Sequence, residues 1–391
     1  MEKFFASCPR GLEAVLGAEL TSLGASDVKA VDGGAAFSGP FALCYAANLE
    51  SRVASRVLWQ VGHARYRGEE DVYKAAAALP WPKWFNVRDT IRVNVSAIKS
   101  PVKSLDFVTL RVKDGVCDAF RAASGARPDV DTEAPAVRIH AFLTRDEVTY
   151  YLDTSGEPLF KRGWRITSGD TPLRENLAAG ILKLAGWAPP TPLLDPMCGG
   201  GTFLVEAAMM ALDVAPGLNR SFGFERLANY DKNAWQALRK KALARRKPAS
   251  GLAIHGRDKS GEALGLAREN LAAAGLTDAV QLKQMDILDG GPPGDAGIMV
   301  MNPPYGERIA PKDDLASFYP RLGDALKQRH AGWTAYILSA DLRLPKLIGL
   351  KATRRTPLYN GALECRLFEY KLVAGSLRRG DKLGAGRVVG E

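Results

Sequence analysis

Four short apolar segments that each end in an acidic or amide residue constrain the fold of this chain more than any other feature. The end residues are Asp195, Asp258, Asp286 and Asn302. A single Asp after an apolar segment is usually a helix cap or a turn residue. Four such ends in succession predict instead a parallel sheet of the α/β class, because the carboxyl ends of parallel strands lie at one edge, where open sheets bind ligands.

The first of these segments continues into a glycine-rich turn. The sequence from Leu193 to Ala208 predicts a strand, a turn with glycines at 199, 200 and 201, and a helix that begins near Thr202. Glycines tolerate positive φ and let a ligand approach the backbone, and the amides at the helix start point toward that ligand. The turn lacks the third glycine of a dinucleotide fingerprint and the lysine of a phosphate-cradling loop. A nucleoside that carries a carboxylate and an amine therefore fits better than a triphosphate, and the sequence predicts S-adenosylmethionine as the cofactor.

Two further acidic ends suit the same cofactor. Asp258 is expected to accept hydrogen bonds from the ribose hydroxyls, and Asp286 from the adenine amino group. The stretch from Asp195 to Asp258 is much longer than the roughly 20 residues that commonly separate such strand ends. We therefore predict that residues 212–250 form an insertion.

The fourth end opens the run Asn302-Pro-Pro-Tyr305. The Asn302 side-chain oxygen and the backbone carbonyls beside two prolines can accept hydrogen bonds from an exocyclic amine, and Tyr305 offers a ring for stacking. Acceptors that hold an amine orient its lone pair and favour the charge that develops as the nitrogen attacks an electrophile. The run indicates methyl transfer to an amine, with Asn302, Pro303, Pro304 and Tyr305 as candidate catalytic residues. A proline-terminated strand end with a surface tyrosine is the alternative interpretation.

The first 155 residues hold no catalytic pattern, yet their periodicity predicts a folded region. Helices are expected at Gly11–Leu23, Phe41–Val57 and Val108–Ala123, and strands at Ile91–Ala97 and Ala136–Phe142, where apolar residues alternate. Since this region carries no chemistry of its own, we expect it to serve recognition.

Charge and cysteine usage limit the class of protein. A formal charge of +10 and an isoelectric point near 9.3 favour a polyanionic partner. The basic run Arg239–Lys247 in the predicted insertion is either a solvated face or a phosphate contact. Five cysteines without a C-x-x-C pair argue against a disulfide framework, and the four histidines show no metal-ligand spacing. Without a signal-peptide core or an apolar stretch of membrane length, the cytoplasm is the expected location, and no metal or membrane partner is expected.

The chain resembles a known family almost from end to end, namely the THUMP-containing guanine-N2 methyltransferases of large-subunit ribosomal RNA, of the RlmL type. The residues that carry the resemblance are Gly11–Glu13, Gly33–Gly34, Phe37–Gly39, Asn48–Arg52, Val112–Asp114, Arg127–Pro128, Asp153–Gly156, Lys161–Arg165, Asp195–Thr202, Ala215–Leu218, Asn302–Arg308 and Tyr359–Cys365. The chain departs from the family at Gly200, where Ser is usual, and at Arg257–Ser260, where a second Asp is common.

The resemblance implies a fold, a domain order and a set of site residues. The implied fold is α/β, with a class I (Rossmann-like) seven-stranded methyltransferase sheet preceded by an α+β ferredoxin-like and THUMP region that binds RNA. The implied domains are a ferredoxin-like region at 1–50, THUMP at 51–155, a linker at 156–172, the methyltransferase at 173–374 and a mobile tail at 375–391. The implied cofactor-binding residues are Asp195, Pro196, Cys198, Gly199, Gly201, Thr202, Asp258, Asp286 and Asn302. The implied RNA-binding residues are Arg111, Lys113 and Arg121 on a THUMP helix and Lys161, Arg162 and Arg165 in a basic connector.

The function implied by the resemblance is methylation of the N2 amine of a guanosine in large-subunit (23S-type) ribosomal RNA, free or in an assembly intermediate. The residues leave two other interpretations open. An Asn-Pro-Pro-Tyr pocket also suits adenine N6 or a glutamine amide, and the fold could belong to a non-catalytic ribosome-assembly factor. Retention of Asp258, Asp286 and Asn302 together argues against the non-catalytic interpretation. The sequence leaves the oligomeric state open, and a monomer is compatible with it.

Overall fold

The computed structural model describes residues 1–166, 173–303 and 312–373, and within them the chain forms two seven-stranded sheets. The strands of the N-terminal sheet are β1 (Glu2–Ser7), β2 (Ser26–Val31), β3 (Gly34–Gly39), β4 (Arg56–Arg65), β5 (Ile91–Ala97), β6 (Val137–Leu143) and β7 (Glu147–Asp153). The accompanying helices are α1 (Glu13–Ser22), α2 (Leu43–Glu50), α3 (Glu69–Ala77) and α4 (Leu105–Ser124). The strand order is β2-β3-β1-β4-β7-β6-β5, so β4 joins β1–β3, where the ferredoxin-like region is predicted, to β5–β7, the half where THUMP is predicted.

Local sequence explains the elements of the THUMP half. Strand β6 alternates between buried and partly exposed residues along its whole length, as the period-two pattern predicted. Helix α4 is capped at its start by Ser104, whose hydroxyl accepts a hydrogen bond from the Phe107 amide at 3.2 Å, and at its end by Gly125 in the left-handed conformation. The strand predicted at Ile91–Ala97 is confirmed as β5.

The helix predicted at Phe41–Val57 is wrong in its second half, because α2 ends at Glu50 and β4 begins at Arg56. The buried carboxylate of Glu19 explains the early end. It accepts hydrogen bonds from the Ser51 hydroxyl at 2.6 Å and from the amides of Arg52 and Val53 at 3.2–3.3 Å. These bonds satisfy the chain outside a helix, so apolar periodicity alone could not locate the boundary.

The catalytic sheet follows the linker. Its strands are β8 (Leu193–Asp195), β9 (Ile254–Asp258), β10 (Gln281–Gln284), β11 (Gly297–Met301), β12 (Trp333–Ser339), β13 (Arg354–Asn360) and β14 (Leu363–Lys371). Its helices are α5 (Glu175–Leu184), α6 (Thr202–Ala211), α7 (Lys232–Ala244), α8 (Gly261–Ala273), α9 (Lys312–Arg329) and α10 (Leu344–Leu347). The strand order is β10-β9-β8-β11-β12-β14-β13, which confirms the predicted seven-stranded sheet.

The topology of this sheet fixes where a ligand can bind. Strands β10, β9, β8, β11 and β12 are mutually parallel, whereas β14 is antiparallel to both β12 and β13. The order of connection reverses between β8 and β11. An open α/β sheet binds its ligand beyond the carboxyl ends of the strands at such a switch point. The predicted tail at 375–391 and part of the predicted linker lie outside the described residues.

None of the helices in the described ranges has the length and apolar character that a membrane crossing requires.

Candidate functional site

The turn after β8 is a tightly bonded loop at the switch point. The first strand end, Asp195, is almost fully buried, and its Oδ1 accepts the Met197 amide at 3.2 Å across the buried Pro196. The Cys198 amide donates to the Arg257 carbonyl of β9 at 2.8 Å, and its own carbonyl accepts the Gly201 amide at 2.8 Å. The loop is thereby fixed to the neighbouring strand before α6 begins.

Two glycines of the loop require their residue type for a conformational reason. Gly199 and Gly201 have φ angles of +51° and +79°, in the left-handed region that side-chain-bearing residues rarely adopt. Gly201 directly precedes Thr202, the first residue of α6, so the amides at the start of α6 face the loop. A Cβ at Gly199 would meet no atom of the described residues within 4 Å, which leaves space beside this backbone for a ligand.

Asp258 closes the loop from β9. Its Oδ2 accepts the Gly199 amide at 3.0 Å and its Oδ1 accepts the Ser260 amide at 2.9 Å. Strand pairing places Gln284 of β10 beside Asp258. Asp286 follows two residues later and is half-buried, and its Oδ1 accepts a hydrogen bond from the Leu288 amide at 2.9 Å. The three predicted acidic ends therefore lie in a row along one edge of the sheet.

The electrostatics of this row are unusual. Burial, together with the nearby Asp258 carboxylate, raises the pKa of Asp195 well above its ordinary value. Burial and the charges of Asp195 and Asp258 also raise the pKa of the Cys198 thiol. A thiol in this environment stays protonated at neutral pH, and a protonated thiol is a poor nucleophile.

Asn302 directly follows β11. Strand β11 pairs with β8 on the side away from β9 and β10, so Asn302 extends the row of strand ends beyond Asp195. The Asn302 Oδ1 is buried and has no hydrogen-bond partner among the described residues. A buried amide oxygen without a partner costs free energy, and at the carboxyl end of β11 a ligand can supply the missing hydrogen bond. Pro303 is buried beside it, whereas Pro304 and Tyr305 lie outside the described residues.

Sequence reasoning missed a residue that supports the glycine loop from α8. Asn270 is about 1% exposed; its Nδ2 donates to the Gly200 carbonyl at 2.9 Å, and its Oδ1 accepts the Ile166 amide at 3.2 Å. The sequence did carry a signal, because Asn270 lies at helical spacing from Leu264 and Ala267 on the buried face of α8. A polar residue on a buried helix face needs partners, and here the partners are the loop and the linker.

The two arginines of the predicted basic connector form ion pairs within the chain. Burial of Arg162 corrects its assignment as an RNA contact, whereas the assignment of Arg165 stays a prediction. The Arg162 side chain is 2% exposed and donates to Glu206 Oε1 at 3.1 Å and to the Arg52 carbonyl at 2.5 Å. Arg165 is 19% exposed and donates to Glu175 Oε1 at 2.7 Å and to the Thr202 hydroxyl at 3.0 Å. Arg162 cannot reach a phosphate from this position, and Arg165 holds the start of α6.

The other four predicted RNA contacts lie at the surface, each with an acidic neighbour. Arg111 pairs with Glu70, Lys113 with Asp114, Arg121 with Asp118 and Lys161 with Glu157. Arg121 and Lys161 are the more exposed, at 53% and 61% of the side chain. Surface pairs of this kind contribute little to stability, so the cations stay accessible to a polyanion.

Comparison with known families agrees with this architecture. Residues 3–58 match the RlmL ferredoxin-like domain, residues 66–153 match the THUMP domain, and residues 162–369 match the RMKL-like methyltransferase domain. The last match covers more than half of the chain.

Full-length relatives extend the comparison. The ribosomal RNA large subunit methyltransferase K/L of Shewanella sp. strain MR-4 is 38% identical to this chain over 384 residues. The match covers 97% of this chain but 54% of that protein, so the chain spans about half the length of this relative. The protein slr0064 of Synechocystis sp., provisionally named an RNA methyltransferase, is 36% identical over 94% of this chain and 96% of its own length. Among solved structures, SMU.472, provisionally identified as a methyltransferase and complexed with SAH, is 31% identical with a TM-score of 0.86, covering 96% of this chain and 99% of that chain.

Proposed function

The chain belongs to the RMKL-like methyltransferase family, and we propose that it transfers a methyl group from S-adenosylmethionine to the N2 amine of a guanosine in large-subunit ribosomal RNA. The observation that carries the proposal is the buried Asn302 Oδ1, which has no hydrogen-bond partner among the described residues. An amide oxygen at the carboxyl end of β11 can accept a hydrogen from an exocyclic amine and so hold the nitrogen toward the glycine loop.

The residues of the acidic row fit S-adenosylmethionine. The open space beside Gly199 admits a ligand against the backbone, and the buried Asp195 carboxylate suits the cationic amine of a methionine group. Asp258 and Asp286 offer acceptors for ribose hydroxyls and for an adenine amine at the neighbouring strand ends. When bound, this cofactor supplies an electrophilic methyl carbon.

The role of the chain is to bind, orient and exclude water. Asn302 Oδ1 and the Pro303 carbonyl hold the two amine hydrogens, which directs the nitrogen lone pair and favours the positive charge that develops on nitrogen. A base inside a helix cannot reach this edge of the sheet, so the guanosine must be unpaired or flipped out of its stack. The stacking role of Tyr305 remains a prediction from the sequence.

The reaction is tested by transfer of labelled methyl from S-adenosylmethionine to large-subunit ribosomal RNA that lacks its natural modifications, followed by digestion to nucleosides. We expect labelled N2-methylguanosine. Labelled N6-methyladenosine would leave the assignment as a methyltransferase intact but change the target base from guanine to adenine, because an Asn-Pro acceptor pair also suits an adenine amine. Absence of label on both RNA and large-subunit assembly intermediates, despite cofactor binding, would contradict the proposal.

The role of Asn302 is tested by substitution. In Asn302→Ala we expect turnover at saturating RNA to fall by about 10²–10³-fold, the usual cost of losing one oriented hydrogen-bonding group at a reacting centre. RNA affinity should change less than twofold, because phosphate contacts supply most of it. An Asn302→Ala variant that methylates at the wild-type rate would show that this oxygen does not hold the amine. The exposed Asn219→Ala is a control for loss of an Asn side chain away from the strand ends.

A further inference from the structure

Helix α7, in the segment predicted as an insertion, carries an excess of positive charge that the site described above does not use. Residues 232–247 contain seven basic residues and no acidic residue. The basic residues are Lys232, Arg239, Lys240, Lys241, Arg245, Arg246 and Lys247. Like charges this close repel one another and destabilise a helix, so such a run needs either an acidic partner in the fold or a partner outside it.

The helix is fixed to the N-terminal region at both ends. At its start, the Tyr45 hydroxyl of α2 accepts the Asp231 amide at 2.8 Å, and the Trp235 ring packs edge-on against the Tyr45 ring. At its end, Arg245 forms ion pairs with Glu50 of α2 and with Asp213. Helix α7 therefore cannot move independently of the junction between the N-terminal sheet and the catalytic sheet.

The two faces of α7 differ sharply. Trp235 and Ala242 are buried against the fold, together with the partly buried Leu238. The opposite face exposes Gln236, Lys240 and Leu243 at helical spacing, with Lys232 and Lys241 also exposed. The exposed Lys247 follows the end of α7, where its amide donates to the Leu212 carbonyl at 2.9 Å. None of these lysines has a carboxylate within ion-pair distance among the described residues, whereas Arg245 uses both of the nearby acids.

We propose that this exposed face, defined by Gln236, Lys240, Leu243 and Lys247, is a second RNA-binding surface that contacts the phosphates of the substrate strand between the N-terminal region and the catalytic site. The inference rests on the proposed function. Exposed lysines along α7 and just after its end, without an ion-pair partner among the described residues, attract the phosphate backbone without regard to sequence. The exposed Leu243, 57% accessible, lies between two of the lysines and can pack against a sugar or a base edge.

A membrane surface is the other polyanion that a basic helix can bind, and the structure disfavours it. An interfacial helix inserts a free apolar face into the lipid. In α7 the apolar face is already occupied, because Trp235 packs among the rings of Tyr45, Phe222 and Phe224. Only Leu243 remains on the accessible face, which is too little apolar area for insertion.

The test compares two double variants of the full chain with equal loss of charge. Lys240→Ala/Lys247→Ala removes two cations from the α7 face, and Lys3→Ala/Lys29→Ala removes two exposed cations from strands β1 and β2. Binding to an unmodified large-subunit ribosomal RNA transcript is measured over a range of salt concentrations. For the α7 pair we expect Kd to rise about tenfold and the slope of log Kd against log salt to fall by about 1.4–1.8, since each lost phosphate contact removes about 0.7–0.9.

The outcomes separate the two proposals. Restoration of affinity and slope in Lys240→Arg/Lys247→Arg, together with a small effect of the control pair, would support the α7 surface. Equal effects of the two alanine pairs would overturn it while leaving the proposed function intact. A wild-type protein that binds no large-subunit RNA would overturn both. Binding of the wild type to anionic vesicles, lost in the α7 pair without loss of RNA affinity, would assign the face to membranes instead.

Discussion

The surroundings of Asp195 disfavour the charged form of its carboxylate, so the charge does not stabilise the fold. The residue is about 1% exposed and receives one hydrogen bond, from the Met197 amide, while the neighbouring Asp258 adds repulsion. A group that the surroundings destabilise in its charged form, at a ligand-binding edge, is characteristic of a functional site. The cationic amine of the proposed cofactor would supply the missing opposite charge.

Replacement of Asp195 by Asn should therefore change stability and binding in opposite directions. The pKa of Asp195 is raised in the folded protein, so the folded state holds this proton more tightly than the unfolded state, and the resulting stability is lost as pH rises through the raised pKa. The amide cannot ionise and can still accept the Met197 amide. Above neutral pH we expect Asp195→Asn to be more stable by on the order of 1–2 kcal/mol, and the gain to vanish at acidic pH. Thermal unfolding of both proteins at several pH values measures this difference in stability.

Cofactor binding gives the second half of the same experiment. Affinity for S-adenosylmethionine should fall about tenfold or more in Asp195→Asn, the cost of a lost hydrogen bond to a charged group. In the wild type the affinity should weaken as pH falls and Asp195 becomes protonated, and this dependence should disappear in the variant. Calorimetry at several pH values measures both. A variant that binds S-adenosylmethionine as tightly as the wild type would remove Asp195 from the cofactor site. A variant that is less stable than the wild type above neutral pH would contradict the raised pKa of Asp195.

At the scale of elements, the glycine loop is held from outside by helix α8 and by the linker. Asn270 bonds both to the Gly200 carbonyl and to the Ile166 amide, so one side chain fixes the loop against the segment that follows the N-terminal region. Arg165 adds a bond to Thr202 at the start of α6. We regard Asn270 as a positioning residue, because it touches the loop rather than the predicted ligand groups.

Loss of the Asn270 side chain should loosen the loop and weaken cofactor binding. In Asn270→Ala we expect the KM for S-adenosylmethionine to rise about tenfold, with a smaller change in kcat, and a destabilisation of about 1–3 kcal/mol from unsatisfied backbone groups. Asn270→Asp keeps the acceptor for Ile166 and removes the donor to Gly200, so it isolates the contribution of the loop contact. If Asn270→Asp matched the wild type in KM, the bond to Gly200 would be without functional consequence. The exposed Asn233→Asp serves as control.

The same scale shows where sequence reasoning succeeds and where it fails. Strand ends at Asp195 and Asn302 were predictable because apolar periodicity stops there and the next residues break the strand. The end of α2 was not predictable, because a carboxylate from α1, Glu19, satisfies the chain after Glu50. The assignment of Arg162 as an RNA contact failed for a related reason: nothing local distinguishes Arg162, whose partner lies 44 residues away in α6, from the exposed Lys161.

At the scale of the whole molecule, a buried charged cluster joins the N-terminal sheet to the catalytic sheet. Glu206 of α6 is fully buried and pairs with Arg162 at 3.1 Å, and Arg162 in turn donates to the carbonyl of Arg52 at 2.5 Å. The Arg52 guanidinium reaches into the catalytic region, where it donates to the Val214 carbonyl at 2.8 Å. Burial lowers the pKa of Arg52, and the Glu206 charge opposes that effect. Glu206 thus offsets the charge of the buried Arg162 and, together with Glu19 and Glu50, that of the partly buried Arg52.

Removal of that carboxylate should cost more than replacement of the whole pair. Glu206→Leu leaves Arg162 buried without its ion-pair partner, so we expect a destabilisation of about 3–5 kcal/mol. Arg162→Met/Glu206→Leu should recover much of that loss, because an apolar pair avoids the desolvation of the ions. Chemical denaturation of the wild type, both single variants and the double variant closes a mutant cycle, and the coupling free energy should be at least about 1 kcal/mol. Additive effects would mean that the charges act independently. Since the cluster joins the two sheets, a stable double variant that binds cofactor and RNA normally but methylates slowly would show that the ion pair sets the relative placement of the sheets as well as their stability.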